Sequence, residues 1–293
     1  MKKRIRRILI RNALLGGLCL CLVFAVSRAV VVNAQQPISA IAARPFEPAE
    51  ELLFGAEFSR ALLRKIDVAE LRFTANRTAP NDPVTNSQEQ KPYALTLSAD
   101  IVSKGFFTKL FNLKFREQVK SVVEPVTFTV QKTTILDEQG KRVRATETTF
   151  DQQKGKISWS QRDPNDPGRE PRNIVTEFSG QLQDVLSAIY FIRTRPLEVG
   201  KSFEIFITEG GRVYRVPVQV VEKKRMKTIF GKVNVLRIDP ELFGPDHLIA
   251  NEKGEFSIWL TDDSRHIPVC GRIKTDYGTF DIRLKKIVTN SPA

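Results

Sequence analysis

The sequence has 293 residues, with 46 basic and 33 acidic side chains, a formal net charge of +13, three cysteines and two histidines. Residues 1–34 contain seven of the basic residues and no acidic one, so the remainder carries a net charge of only +6, which is ordinary for a soluble surface. The charge therefore gives no support for nucleic-acid binding. Because Cys270 is the single cysteine after residue 34, an intramolecular disulfide is excluded there.

The first 34 residues have the pattern of an export signal. Six Lys or Arg residues near the amino terminus precede an apolar run at 13–26, and Val32-Asn33-Ala34 provides a cleavage site before a segment at 35–45 that we predict to be extended. The apolar run ends before Arg28, so it is short for a membrane-spanning helix, which needs about 20 apolar residues. Cleavage and retention as an N-terminal membrane anchor both stay open.

Residues 46–290 show the alternation expected of a single β-rich domain. Apolar residues recur at every second position, which is the period of strands with one buried face. Short turns containing Gly and Asp join the strands, and such connections favour antiparallel neighbours. Strands are predicted at 52–58, 68–73, 93–101, 113–123, 126–136, 142–150, 156–160, 233–238, 256–261, 266–274 and 280–284, and loops at 76–92 and 162–172.

One short helix is predicted near the middle of this domain. Four apolar residues have the spacing of a single helical face, Ser179 is the predicted N-cap, and Pro196 ends the helix. A helix of this length is unstable alone in water and must dock on a sheet. The four apolar residues are Leu182, Val185, Leu186 and Ile189.

The helix is followed by a predicted β-hairpin. Alternating apolar residues at 203–208 and 214–220 flank Gly210-Gly211, a dipeptide that tolerates the positive φ angles of a two-residue turn. Pro217 cannot donate a ladder hydrogen bond, so the second strand is predicted to lie at a sheet edge or to contain a bulge.

Two stretches resemble a known protein family. The first reads LSAIYFIRTRPLEVGKSFEI and continues through the hairpin to VNVLRIDP, and the second reads FSIWLTDDSRHIPV followed by GRIKTDYGTFDIRL. Together they are similar to the exported bacterial family known as domain of unknown function 3108, and the likeness is stronger after Leu182 than before it. The resemblance implies a mostly antiparallel β protein of the cell envelope, and it supplies no catalytic residue.

We therefore predict an all-β fold, mostly antiparallel, with a curved sheet that is half-barrel-like or β-sandwich-like and one short docked helix. No cofactor is predicted, because the sequence has no P-loop and no GxGxxG motif. No metal site is predicted, because His247 and His266 are the only histidines and no Cys/His cluster accompanies them.

Aromatic residues are the candidates for ligand contact. Phe106, Phe107 and Phe111 lie in the apolar stretch GFFTKLF with helical spacing, and Trp259 lies in a late strand. An exposed apolar patch of this kind would contact lipid or another ligand. Packing within the core is the simpler interpretation of the three phenylalanines.

The sequence leaves three hypotheses of function. The first, which we favour, is an exported periplasmic or envelope-associated protein that is not an enzyme and binds an apolar or glycan ligand, or an envelope partner, on its curved sheet. The second is an assembly partner that pairs through a free sheet edge. The third is a hydrolase of envelope polymers, which requires Asp262, Asp263 and His266 to converge in an open cleft, although turn formation explains these residues more simply.

Overall fold

The structure, a computed structural model, describes residue 46 and residues 49–78, 94–105, 114–250 and 253–289. The predicted export signal, the segment at 35–45 and most of the predicted loop at 76–92 lie outside these ranges. Within them the chain forms one helix, α1 (Val185–Arg193), and the following strands: β1 (Ala49–Arg60), β2 (Leu63–Thr78), β3 (Ala94–Ser103), β4 (Phe115–Val123), β5 (Val130–Gln139), β6 (Arg142–Asp151), β7 (Lys156–Arg162), β8 (Arg172–Glu177), β9 (Leu182–Asp184), β10 (Ser202–Glu209), β11 (Arg212–Thr228), β12 (Gly231–Pro240), β13 (Gly254–Thr261), β14 (Pro268–Thr275) and β15 (Gly278–Thr289).

All fifteen described strands belong to one sheet, in the order β8-β7-β6-β5-β4-β3-β2-β1-β15-β14-β13-β12-β11-β10-β9. Neighbouring strands are antiparallel, except that β9 and β10 are parallel. The chain therefore starts in the middle of the sheet and builds outward to β8. It then resumes at the opposite edge with β9 and returns to β15, which pairs with β1.

The connection between the two edges requires the sheet to curl. β8 ends at Glu177 and β9 begins at Leu182, and five Cα–Cα steps can span at most about 18 Å. A flat sheet of this many strands would place its edges roughly 67 Å apart, at about 4.8 Å per strand. The edges do approach each other, because the Thr176 hydroxyl donates a 2.6 Å hydrogen bond to the Gly211 carbonyl in the β10–β11 turn.

Helix α1 directly follows β9 and lies inside the curled sheet, where it contacts β3, β4, β9 and β10. The helix is buried on most of its sides and not only along one apolar face. Even the polar residues Ser187 and Arg193 are therefore inaccessible to solvent. The helix was predicted correctly but its start was not. Asp184 is the N-cap instead of Ser179, because residues up to Asp184 are held extended by pairing with β10.

The fold class predicted from the sequence is confirmed, with three local corrections. β8 was missed. β5 starts at Val130 rather than at residue 126, because the Glu124 carboxylate holds the preceding residues in a turn. Of the two alternatives for β11, the edge strand is wrong, since β11 pairs with both β10 and β12, whereas a bulge is present between Val220 and Glu222. Pro217 lies just outside the pairing with β12.

The core consists of two apolar clusters. One surrounds α1 and includes residues from β3 to β7 and from β10 to β13. The other lies mainly between β1 and β2 on one side and β13 to β15 on the other. No helix in the described part of the chain is long and apolar enough to cross a membrane.

Candidate functional site

A cavity of about 220 Å³ lies between α1 and the surrounding strands. Its wall is mostly apolar and combines helix residues with residues from both halves of the sheet. Representative wall residues are Val185, Ile189 and Ile192 from α1, Ile205 and Ile207 from β10, Val216 from β11, Ile258 from β13, and Leu52, Phe54, Phe73 and Ile135 from β1, β2 and β5.

The wall formed by β4 to β7 changes from apolar to charged along the strands. Strand register places Glu117, Asp137 and Arg144 side by side on β4, β5 and β6, and all three line the cavity. The two carboxylates are largely buried. Two residues further along each strand, the corresponding row contains Val119 and Ile135, so the row of Glu117, Asp137 and Arg144 forms a charged end of the cavity. Two other acidic residues, Asp184 and Glu209, also line it.

The charged end is hydrogen-bonded within itself. The Gln139 amide donates to both carboxylate oxygens of Asp137 at 2.9 Å. Arg142 lies 3.3 Å from the same carboxylate. Asp137 is therefore held in place by neighbouring side chains at this end of the cavity.

Two hydroxyl groups in the cavity wall lack a hydrogen-bond partner among the described residues. They belong to Tyr190 on α1 and Thr208 on β10, which are 1% and 4% exposed. Burial raises the pKa of Tyr190 strongly, with the nearby Arg193 charge opposing this effect. Leaving a buried hydroxyl without a partner costs about 1–3 kcal/mol, so both residues are unexpected in an apolar wall.

The C-terminal end of α1 is anchored by a buried ion pair. Arg193 donates to both carboxylate oxygens of Glu50 in β1, at 2.6 and 2.9 Å, and both side chains are almost fully inaccessible. Arg265 approaches the same carboxylate at 3.4 Å, and the Arg193 guanidinium lies over the Phe46 ring at 5.2 Å. This geometry satisfies the Glu50 charge and fixes the helix end to the centre of the sheet.

The N-terminal end of α1 is equally well satisfied. The Asp184 carboxylate accepts a 2.8 Å hydrogen bond from the Ser187 backbone, while the Ser187 hydroxyl accepts one from the Asp184 backbone at 2.9 Å. The second carboxylate oxygen accepts a 2.7 Å hydrogen bond from the Thr133 hydroxyl of β5. This reciprocal capping box therefore also joins the helix to the sheet.

The opposite face of strands β2 to β7 forms an open groove of about 850 Å³. Its lining is more polar than that of the cavity and includes Asp100, Gln118, Lys120 and Glu147. Several of its charges are paired: Asp100 pairs with Arg116 at 2.8 Å, and Glu147 pairs with Lys132 at 2.9 Å. These exposed pairs are typical of a solvated sheet face.

The structure gives a mixed outcome for the predicted contact residues. Phe106, Phe107 and Phe111 lie outside the described residues. Trp259 is buried at 4% exposure but does not line the cavity. Its ring belongs to the second apolar cluster and is approached by Lys224 at 5.0 Å and Arg272 at 5.7 Å.

The three residues of the hydrolase hypothesis do not converge. Asp263 shapes its turn by accepting hydrogen bonds from Thr261, Arg265 and His266. Asp262 pairs with Lys223, and the His266 Nδ1 lies 3.0 Å from the Arg193 carbonyl. Each side chain has its own structural partner, so the turn interpretation describes them and the cleft that the hypothesis requires is not formed.

Metal ligands and reactive thiols receive no support in the described part of the chain. No group of three His, Cys, Asp or Glu residues is arranged to hold a metal there. Cys270 is free and buried, and desolvation raises the pKa of its thiol. Such a thiol is weakly nucleophilic at neutral pH.

Sequence reasoning missed the residues that organise the cavity. Glu50 occupies the first position of the buried alternation that continues with Leu52 and Phe54 in β1, and a carboxylate in such a row signals a buried partner. Arg193 lies in the last turn of the helix, where a cation is favourable by itself, so its position does not indicate a buried partner. The sequence does not indicate that Tyr190 and Thr208 line a cavity, because Tyr and Thr also occur in amphipathic patterns as surface or packing residues.

Comparison with known proteins gives a family but no activity. A family model described as "Protein of unknown function (DUF3108)" matches residues 67–285. No curated protein matches the chain. Among solved structures, the chain is similar to a "Beta-barrel-like Protein of Domain of Unknown Function DUF1849 from Brucella abortus", with a TM-score of 0.47 and 9% identity over 83% of this chain and 98% of that chain.

Proposed function

Because the chain belongs to the DUF3108 family, which is described only as being of unknown function, we propose from its geometry that it is an exported protein that binds an apolar, lipid-like chain inside the curled sheet. The cavity between α1 and the strands carries this proposal. Its wall is mainly apolar, and one end is charged, as expected for a site that holds an amphiphile with its head at the polar end.

The size of the cavity favours a narrow ligand. Sites for drug-sized ligands occupy roughly 300–1,000 Å³, whereas this cavity is about 220 Å³. A single acyl chain suits such a space better than a bulky ring system. Burial of each methylene group contributes about 0.8 kcal/mol, so the affinity of this site for a ligand would depend on the length of the ligand's chain.

A chain-length series tests the proposal. Saturated fatty acids of increasing length would compete with a fluorescent fatty acid for the purified protein. We expect the affinity to rise about fourfold per added methylene and then to reach a plateau at the length that fills the cavity. Affinity that does not depend on chain length would overturn the proposal.

A pair of matched variants locates the site. Ala188 lies on α1 in the cavity wall, whereas Ala145 lies on β6 in the outer polar groove. We expect Ala188→Leu to move the plateau to a shorter chain and Ala145→Leu to leave it unchanged. The same plateau in both variants would place the binding elsewhere.

The export half of the proposal rests on the basic and apolar pattern of residues 1–34. Expression in a bacterial cell, followed by fractionation and N-terminal sequencing, tests it. We expect a protein outside the cytoplasm, starting at Gln35 after cleavage or at Met1 if the segment is retained as an anchor. A cytoplasmic protein would contradict this half while leaving ligand binding untouched.

A second candidate function is pairing with an envelope partner through β8. This strand is at one edge of the sheet, most of its residues are exposed, and Val175 is 65% exposed. Edge strands present unpaired backbone groups that another strand can join. A photocrosslinker at Val175 should capture one discrete protein in intact cells, while one at Glu147, on the interior strand β6, should not.

A further inference from the structure

We propose that the hydroxyl groups of Tyr190 and Thr208 form the polar subsite of the cavity, and that its ligand carries a neutral hydrogen-bond-accepting oxygen, such as an ester or amide carbonyl. This inference rests on the proposed function, because it names the chemistry of the chain that the cavity would hold.

Tyr190 and Thr208 carry hydroxyl groups at buried positions of a mostly apolar wall. Both line the cavity, both are more than nine-tenths buried, and neither hydroxyl has a partner among the described residues. Phe and Val have nearly the same shapes and would avoid the desolvation of a lone hydroxyl. Buried polar groups are nearly always hydrogen-bonded in folded proteins, so a bound molecule is the natural partner.

The second step concerns the position of the subsite. Thr208 pairs in register with Asp184, the N-cap of α1. Tyr190 lies six residues beyond that cap, which is about 9 Å along a helix axis. Neither residue belongs to the row of Glu117, Asp137 and Arg144 at the charged end of the cavity.

The third step concerns the charge of the ligand atom. Arg193 is close enough to Tyr190 for its guanidinium to lie over the ring at 5.4 Å. However, both terminal nitrogens of its guanidinium, Nη1 and Nη2, already donate hydrogen bonds to Glu50. An ionised ligand group at Tyr190 would therefore be buried without its own countercharge, which is strongly unfavourable. A neutral acceptor needs only the hydroxyl proton. Tyr190 keeps this proton at neutral pH because the ordinary pKa of a phenol is about 10, and burial raises it further.

The test compares two probes of equal size, methyl laurate and pentadecane, delivered from cyclodextrin in competition with the fluorescent fatty acid. We expect the wild-type protein to prefer the ester by about tenfold or more. Tyr190→Phe and Thr208→Val should each reduce that preference about fivefold without weakening alkane binding.

Two controls separate ligand contact from general effects of removing a hydroxyl. The Ser121 hydroxyl is also buried and lacks a partner among the described residues, but Ser121 does not line the cavity. Tyr277 lies in the β14–β15 turn. Ser121→Ala and Tyr277→Phe should keep the wild-type preference, and far-UV circular dichroism would verify that all four variants fold.

The outcomes distinguish this inference from the proposed function. If neither probe binds, the proposed function fails. If both bind equally well to the wild-type protein, the cavity holds apolar chains but the polar subsite is wrong. An ester preference that survives in both Tyr190→Phe and Thr208→Val would also overturn the subsite, since it would show that other groups contact the oxygen.

Discussion

The two ends of α1 and the cavity wall beside it differ in whether their buried polar groups have hydrogen-bond partners. At the helix ends, Asp184 and Glu50 have hydrogen-bond partners for their carboxylate oxygens. In the cavity wall, the hydroxyls of Tyr190 and Thr208 have none among the described residues. Substitutions at the two kinds of position should therefore change the free energy of unfolding in opposite directions.

The largest effect is expected at the buried ion pair. Glu50→Gln leaves Arg193 buried without its countercharge, so it should lower the free energy of unfolding by about 3–5 kcal/mol. Urea denaturation measures this change. Glu204→Gln is the matched control, because Glu204 pairs with Arg215 on an exposed surface, where ion pairs contribute about 0–1 kcal/mol. Equal losses in the two variants would show that the buried pair has no special role.

A smaller loss is expected at the other end of the helix. Asp184→Ala removes both the N-cap and the acceptor of the Thr133 hydroxyl, and should lower stability by about 2 kcal/mol. Asp184→Asn can still cap the helix, so it should lose less. Urea denaturation of both variants checks the order, and an Asn variant as unstable as the Ala variant would mean that the charge itself anchors the helix.

In the cavity wall, a substitution should raise the free energy of unfolding rather than lower it. Tyr190→Phe removes a buried hydroxyl that lacks a described partner, so we expect the ligand-free protein to gain about 1 kcal/mol of stability at neutral pH. Urea denaturation of the delipidated wild-type and variant proteins measures this gain as a difference in the free energy of unfolding. A loss of 1 kcal/mol or more would mean that the hydroxyl is already satisfied within the folded protein.

The smallest effect is a dependence on alkaline pH. Burial raises the pKa of Tyr190 in the folded state, whereas in the unfolded chain it is about 10. The unfolded state therefore loses this proton first, and wild-type stability should decline as the pH rises above about 10. Tyr190→Phe should show a weaker decline than Tyr277→Phe, and parallel pH profiles would contradict the burial of the phenol.

The sequence predicted features that depend on local patterns. Alternation identified most strands, Gly210-Gly211 identified the hairpin, and the apolar spacing near Leu186 identified the helix. Features that join distant parts of the chain were not predictable in this way. The pairing of β1 with β15 joins the two ends of the described chain, and the Glu50–Arg193 pair joins residues 143 positions apart.

The cavity could not be predicted for the same reason. Its walls come from both halves of a sheet whose curvature follows from the short link between β8 and β9. The role of Asp184 as N-cap depends on the parallel pairing of β9 with β10, which the local sequence does not reveal. Glu50 was the one long-range feature with a local signal, since it interrupts an apolar row.

The junction between β8 and the β10–β11 turn has a consequence for how a guest molecule would leave. In the described chain, no strand pairing joins β8 to β10, and Thr176 reaches Gly211 through its side chain. Glu209, Gly210 and Trp159 line the cavity beside this junction. Sideways release here would break no strand pairing of the described chain, whereas release between two paired strands would break a row of backbone hydrogen bonds.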